Sequence, residues 1–117
     1  MGYHRAGFRV IGCDIDPQPS YPFESVQADA LEWLSRLIRS GDTTWIYPNL
    51  AAVHASPPCQ RYSDLAHRNG NGDDWPDLVE PVRALLEQTG LPYVIENVEG
   101  APLLNPIKLC GTMFAET

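Results

Sequence analysis

The chain has 117 residues, a length that fits one domain and leaves little room for a second. Hydrophobic residues make up 44% and charged residues 20%, a composition typical of a globular protein that argues against a disordered one. The formal net charge is −7, from 8 Lys+Arg against 15 Asp+Glu, and this acidity argues against a chain that binds nucleic acid unaided. It does not exclude a piece of a protein whose basic parts lie elsewhere.

The cysteine content bears on the compartment. Cys13, Cys59 and Cys110 are an odd count without a CxxC pair, so we expect no disulfide framework and no metal site. The sequence contains neither an apolar run of membrane-spanning length nor a signal-peptide pattern at its N-terminus. We therefore expect a soluble intracellular protein in a reducing compartment, with no membrane partner.

The predicted elements alternate between helices and strands along the chain. The two clearest helices carry apolar stripes, marked by Leu31, Leu34 and Leu37 in one and by Val82 and Leu86 in the other. The predicted strands are short apolar runs that stop at acidic or proline-containing segments. In chain order we expect a helix end over 2–7, strands over 10–12 and 25–28, a helix over 29–39, a strand over 51–55, a helix over 77–88 and a strand over 93–95.

This alternation predicts an α/β domain with a mostly parallel sheet between layers of helices. We find no internal repeat and no linker, so we expect a single domain over residues 1–117. The segment 61–74 is polar and glycine-rich and predicts an exposed mobile loop. The first helix has no strand before it, and the last strand is followed only by turns, so we expect a domain that is incomplete at both ends.

Three polar clusters fall where predicted strands end, which is the edge at which open α/β sheets bind ligands. They are Asp14 with Asp16, the Ser-Pro-Pro-Cys-Gln segment 56–60, and the Glu-Asn-Val segment 96–98. Their coincidence carries more weight than any one of them. The histidines have no spacing that suggests a hydrolytic triad, and we take them to be incidental: His4, His54 and His67.

Cys59 and Glu96 are the candidate reactive groups, and each has an ordinary alternative. The prolines before Cys59 stiffen the backbone and hold the thiol where a substrate can approach, which favours a nucleophile. The alternative is a small buried structural residue, the commoner role of a cysteine. Glu96 follows the apolar run 93–95, where desolvation favours a proton donor, and the alternative is a solvated carboxylate at a strand end.

Two of these segments resemble motifs of one enzyme family. Residues 55–63, Ala-Ser-Pro-Pro-Cys-Gln-Arg-Tyr-Ser, resemble the nucleophile motif of DNA cytosine-5 methyltransferases, and residues 95–100, Ile-Glu-Asn-Val-Glu-Gly, are similar to that family's Glu-Asn-Val motif. A Pro-Cys-Gln match alone is weak, but both motifs in the family's order and separation are specific. Upstream, residues 2–8 resemble the helix after the family's cofactor loop and residues 10–16 resemble its second strand.

The resemblance implies a Rossmann-like methyltransferase domain that acts on a cytosine flipped out of DNA, since stacking covers the reacting carbons in a duplex. It implies that the Cys59 thiolate attacks carbon 6 of the base. It implies that Glu96 binds the base edge and assists protonation of ring nitrogen 3. Pro58 and Asn97 then shape and brace the pocket.

The resemblance also implies that S-adenosylmethionine is the methyl donor. Asp14 corresponds to the acidic residue that binds the ribose hydroxyls of this cofactor, and Ile15 to the residue beside its adenine. Asp29 corresponds to a residue near the adenine amino group. For Asp29 a helix N-cap is an equally good interpretation.

Several parts of the family are missing from these 117 residues. They are the first strand with its Phe-x-Gly-x-Gly loop, an arginine-bearing motif, the target-recognition domain and the last helix. We therefore expect a fragment from a prokaryotic or viral setting. We expect it to show no detectable methylation of duplex DNA alone, and we expect a longer product or a complementing second chain to restore that activity. A non-catalytic α/β module that binds a partner or nucleic acid stays open, and a cysteine hydrolase, lacking a paired histidine, is a distant third.

Overall fold

The computed structural model describes residues 2–40, 50–63, 68, 70, 74–110 and 113, and it divides the chain into two compact units, residues 1–49 and 50–117. The described strands form short parallel pairs, one in each unit, which confirms the α/β class. The prediction that all the strands form one sheet between two layers of helices stays a prediction. In chain order the elements are α1 (Gly2–Arg5), β1 (Ile11–Asp14), β2 (Glu24–Gln27), α2 (Ala30–Ser40), β3 (Val53–Ala55), α3 (Val79–Thr89) and β4 (Tyr93–Ile95).

In the first unit, β1 pairs in parallel with β2, with Ile11 opposite Glu24 at one end of the ladder. The Ala28 N–H donates to the Asp14 carbonyl at 3.0 Å and continues the pairing one residue beyond the end of β2. The helix α2 follows directly and buries Leu34 and Leu37, two residues of its predicted stripe. The sequence also predicts that Gly41 stops this helix, and that residue lies outside the described part of the chain.

Gly12 in β1 has a local reason that the sequence does not reveal. A Cβ atom at this position would lie 2.7 Å from the ring of Tyr21, so the chain needs glycine here for the ring to pack over the strand. Tyr21 in turn meets the ring of Phe23 edge-on at 5.7 Å between centroids, and His4 lies against Phe23 at 5.1 Å. These rings form a small aromatic cluster beside β1.

In the second unit, β3 pairs in parallel with β4, with Val53 opposite Tyr93 and Ala55 opposite Ile95. The Glu96 N–H donates to the Ala55 carbonyl at 2.9 Å, which extends the ladder by one residue. This pairing confirms that the strands predicted at 51–55 and 93–95 are neighbours, although the first of them begins at Val53.

The helix α3 contacts β4 and buries Val79, Val82 and Leu86 completely or nearly so. Tyr93 donates a hydrogen bond to Glu87 of α3 at 3.5 Å, so the sheet face that carries Tyr93 is the face toward α3. Because side chains alternate along a strand, His54 and Val94 belong to the opposite face.

The main surprise in α3 is Arg83, which is only 7% exposed although it is charged. Its guanidinium pairs with Glu80 and donates a hydrogen bond to the Pro102 carbonyl at 2.7 Å. A buried charge is tolerated when it is paired and hydrogen-bonded, and here it ties the turn after the Glu-Asn-Val segment to the helix.

The predicted mobile loop at 61–74 falls mostly on residues 64–67, 69 and 71–73, which lie outside the described part of the chain. No helix among the described residues combines the length and apolar character that crossing a bilayer requires.

Candidate active site

The strand β3 leads directly into the Ser-Pro-Pro-Cys-Gln segment. Pro57 is buried there and Cys59 is partly buried. The Cys59 carbonyl accepts hydrogen bonds from the backbone N–H groups of Tyr62 at 2.9 Å and Ser63 at 3.0 Å. The prolines and this tight turn hold the backbone of Cys59 from both sides.

The segments after β3 and β4 line one cleft of about 440 Å³, a volume within the range of small-molecule pockets. The structure brings together all four residues for which the sequence analysis predicts a role in the reaction: Cys59, Glu96, Pro58 and Asn97. The cleft forms where it does because β3 and β4 are parallel neighbours and therefore end at the same edge. The full lining is Ser56, Pro57, Pro58, Cys59, Gln60, Glu96, Asn97 and Val98.

Asn97 joins the two segments across the cleft. Its Nδ2 donates to the Pro57 carbonyl at 2.9 Å, and its Oδ1 accepts from the Val98 N–H at 2.9 Å. One amide side chain thus satisfies a carbonyl on one segment and a backbone N–H on the other. This is the geometry that a bracing residue needs.

A contact that the sequence analysis missed joins His54 to Glu96. The distance from His54 Nε2 to Glu96 Oε2 is 3.2 Å, and the side chains are 33% and 70% exposed. His54 lies opposite Val94 in the ladder, and Glu96 is two residues further along the same face. The sequence does not contain this register, so the spacing of the histidines carried no signal for it.

The residues that the sequence analysis predicts for cofactor binding lie at the ends of β1 and β2, within the first unit. The Asp14 carboxylate is exposed and accepts a hydrogen bond from the Asp16 N–H at 2.9 Å, and the adjacent Ile15 side chain is 63% exposed. The Asp29 Oδ1 accepts the Glu32 N–H at 3.0 Å, so Asp29 is the N-cap of α2.

Cys13 shows that Asp14 and Asp29 converge. Burial raises the pKa of the Cys13 thiol, and the negative charges of Asp14 and Asp29 raise it further. The thiol donates a hydrogen bond of 3.5 Å to the carbonyl of Ala28, the residue directly before Asp29. Both acids therefore act on one thiol at the edge of the β1/β2 pair.

These residues fit part of a nucleoside. An exposed carboxylate at a strand end can accept hydrogen bonds from two ribose hydroxyls, and an exposed isoleucine side chain beside it offers an apolar surface to a base. One Asp29 oxygen is engaged in capping, which leaves the other for an amino group.

Comparison with known proteins adds no relative. No protein-family model matches the chain, and neither does any curated protein or solved structure. Among the residues that the structure describes, no cluster of His, Cys, Asp or Glu could hold a metal ion. The motif segments and the geometry of the cleft are therefore the features of this chain that bear on its function.

Proposed function

We propose that this chain carries the base-reacting part of a DNA cytosine-5 methyltransferase, with the Rossmann-like domain of that class. One observation carries the proposal: the Pro-Cys-Gln and Glu-Asn-Val segments follow two hydrogen-bonded parallel strands and line one cleft. A nucleophile and a carboxylic acid on the same cleft are what addition to a cytosine ring requires.

In the proposed reaction, the Cys59 thiolate forms a bond to carbon 6 of the cytosine. The electron pair of the carbon 5–carbon 6 double bond becomes available at carbon 5, while Glu96 donates a proton to nitrogen 3. S-adenosylmethionine, when bound, would supply the methyl group to carbon 5 and would leave as S-adenosylhomocysteine. A base then removes the carbon 5 proton, and the bond to sulfur breaks, which restores the aromatic ring and the thiolate. Nitrogen 3 returns its proton to Glu96.

Pro58 and Asn97 serve this chemistry by holding the two reacting groups. The bond from Asn97 to the Pro57 carbonyl fixes the separation between the segment of Cys59 and the segment of Glu96. A reaction that needs a nucleophile and a proton donor in one geometry loses rate when either can move away.

For the cofactor, we propose that Asp14 binds the ribose hydroxyls, Ile15 contacts the adenine and Asp29 accepts from the adenine amino group. The exposure of Asp14 and Ile15 at adjoining positions supports this assignment. Asp29 also caps α2, so its two interpretations are compatible.

The partner is DNA with its target cytosine extruded, in a prokaryotic or viral setting and in the cytoplasm. Because the net charge is −7, most of the affinity for phosphates has to come from other parts of the enzyme or from a complementing second chain.

The test uses the full-length gene product, labelled S-adenosylmethionine and a single-stranded cytosine oligonucleotide, which needs no base extrusion. We expect tritium incorporation, and a covalent complex with an oligonucleotide that contains 5-fluorocytosine, because fluorine cannot leave as the proton does. Cys59→Ser abolishes both, whereas Cys110→Ser, which changes an exposed thiol elsewhere, preserves both. A complex that forms equally well in Cys59→Ser contradicts the proposal.

A non-catalytic α/β module that binds a partner is the second candidate, and the net charge of −7 favours it. It predicts that the full-length product forms no covalent complex with 5-fluorocytosine DNA and that Cys59→Ser leaves its binding partners unchanged.

A further inference from the structure

His54 lies beside the proposed reaction site although nothing in its sequence context indicates a role. It occupies the middle of β3, opposite Val94 of β4. Its Nε2 is 3.2 Å from Oε2 of Glu96, which lines the cleft with Cys59.

The geometry of this pair follows from the parallel ladder. The Glu96 N–H bonds to the Ala55 carbonyl at 2.9 Å, which holds the Glu96 backbone two residues beyond Val94, the partner of His54 in the ladder. Diagonal neighbours on one face of a sheet are within reach of long side chains. The imidazole therefore meets the carboxylate without any change in the backbone.

The Glu96 side chain needs such a partner. It is 70% exposed, and an exposed glutamate samples several staggered rotamers unless a contact selects one. Asn97 braces the backbone of the segment, but its hydrogen bonds go to Pro57 and Val98 and leave the Glu96 carboxylate unconstrained.

We propose that His54 is a positioning residue that holds the Glu96 carboxyl in the orientation for proton donation to the base. This inference depends on the proposed function. An N–H on Nε2 donates to Oε2 and leaves Oε1 for the edge of the cytosine. When Glu96 is protonated on Oε1, that proton faces nitrogen 3 of the base, and the N–H on Nε2 still donates to Oε2.

One contact thus keeps the carboxyl oriented both before and after its proton moves. A residue that orients a catalytic group in this way acts through that group, and misplacing a reacting group by about 1 Å can lower the rate about 100-fold. The binding of S-adenosylmethionine does not pass through His54, so we expect kcat to fall while KM for S-adenosylmethionine stays unchanged.

The experiment compares His54→Ala and His54→Gln in the full-length gene product, with His4→Ala as a matched loss of an imidazole. Gln places an amide N–H close to the position of Nε2. We expect His54→Ala to lower kcat for methyl transfer to a single-stranded oligonucleotide by about 10-fold or more, with KM for S-adenosylmethionine unchanged. His54→Gln restores most of the rate, and His4→Ala has the rate of the unaltered protein.

A second measurement does not depend on methyl transfer. Three-bond couplings in glutamate-labelled protein report the χ1 rotamers of Glu96. We expect one dominant rotamer in the unaltered protein and in His54→Gln, and averaging in His54→Ala. Averaging in the unaltered protein, or a rate that His54→Ala leaves unchanged, overturns the positioning role.

Equal losses in His54→Ala and His54→Gln also overturn it, because a merely structural role makes no distinction between an N–H donor and none. Absence of methyl transfer in the unaltered protein contradicts the proposed function instead, and the rotamer measurement then still decides whether His54 holds Glu96.

Discussion

At the scale of single residues, the neighbours of a side chain decide what it can do, and Cys13 and Cys59 differ in this respect. Cys59 shares a cleft with Glu96, whereas Cys13 lies beside two carboxylates. Nearby negative charge disfavours a thiolate, so the surroundings of Cys13 make it a poor nucleophile. This argues against Cys13 as the nucleophile, while the case for Cys59 depends on its flanking prolines and its place in the cleft.

The first prediction concerns the reactivity of Cys13. Burial raises the pKa of its thiol, followed by the charges of Asp14 and Asp29, so alkylation at Cys13 keeps accelerating above the pH at which ordinary cysteines level off. Asp14→Asn removes one of these charges and speeds the alkylation severalfold at fixed pH near 8. Iodoacetamide labelling followed by mass spectrometry measures both rates, and no change in Asp14→Asn contradicts the electrostatic cause.

The second prediction concerns alkaline stability. Burial raises the pKa of Tyr62 above its ordinary value, and the hydrogen bond to Asp77 and the charge of Asp77 raise it further. The unfolded chain then loses this proton first. The contribution of Tyr62 to stability is therefore complete below the ordinary tyrosine pKa, near 10. It is lost as the pH rises through the higher pKa that Tyr62 has in the folded protein.

Urea unfolding between pH 8 and 11 measures this effect. We expect Tyr62→Phe to be less stable than the unaltered protein at pH 8 and to lose less stability as the pH rises. Parallel stability curves for the two proteins would mean that the hydroxyl of Tyr62 is not the group that titrates.

At the scale of elements, most helices and strands could be predicted from the sequence, but which of them pair or pack together could not. The predicted helix over 29–39 is observed at Ala30–Ser40, and the one over 77–88 at Val79–Thr89. The observed boundaries differ from the predicted ones by one or two residues, because strand pairing and helix capping decide where each element begins and ends. The predicted apolar stripe of α3 did not include Arg83, because burial of an arginine can be recognised only once its partners, Glu80 and the Pro102 carbonyl, are known.

The third prediction tests the N-cap of α2. The Asp29 carboxylate accepts a hydrogen bond from the Glu32 N–H, so Asp29→Ala destabilises the protein by about 1 kcal/mol. Asp29→Asn keeps an acceptor, so we expect it to change the free energy of unfolding by only about a few tenths of a kcal/mol. Denaturant unfolding measures the difference. If both variants also weaken S-adenosylmethionine binding, the adenine role holds together with the cap, and if only stability changes, the cap is the whole role.

The fourth prediction tests the end of α3. Gly90 ends this helix with φ 69°, in the left-handed region, and its N–H bonds to the Glu87 carbonyl at 3.2 Å. Gly90→Ala therefore costs about 1–2 kcal/mol of folding stability. Gly2→Ala is the control, because a Cβ there meets open space and its φ is not positive. An equal effect of the two substitutions contradicts the conformational explanation.

At the scale of the whole molecule, the candidate site could be predicted further than the fold. The clusters at 56–60 and 96–98 each follow a predicted parallel strand, and such strands end at one edge of a sheet, so the position of both clusters at that edge could be inferred from the order of elements. That their two strands are direct neighbours is seen only in the structure. The contact of His54 with Glu96 could not, because it depends on which residue of β3 lies opposite Val94. Packing such as Tyr21 over Gly12 is likewise invisible before the chain is folded.

The most direct test of the central claim is to identify the residue that carries the base in the covalent complex with 5-fluorocytosine DNA. Trypsin places the three cysteines in separate peptides, with Cys13 in residues 10–36, Cys59 in residues 40–61 and Cys110 in the peptide that begins at residue 109. We predict that the methylated nucleotide adduct is found on the 40–61 peptide, at Cys59, and only when S-adenosylmethionine is present. An adduct on the peptide of Cys13 or Cys110, or no adduct on any of the three, would contradict the assignment of Cys59 as the nucleophile.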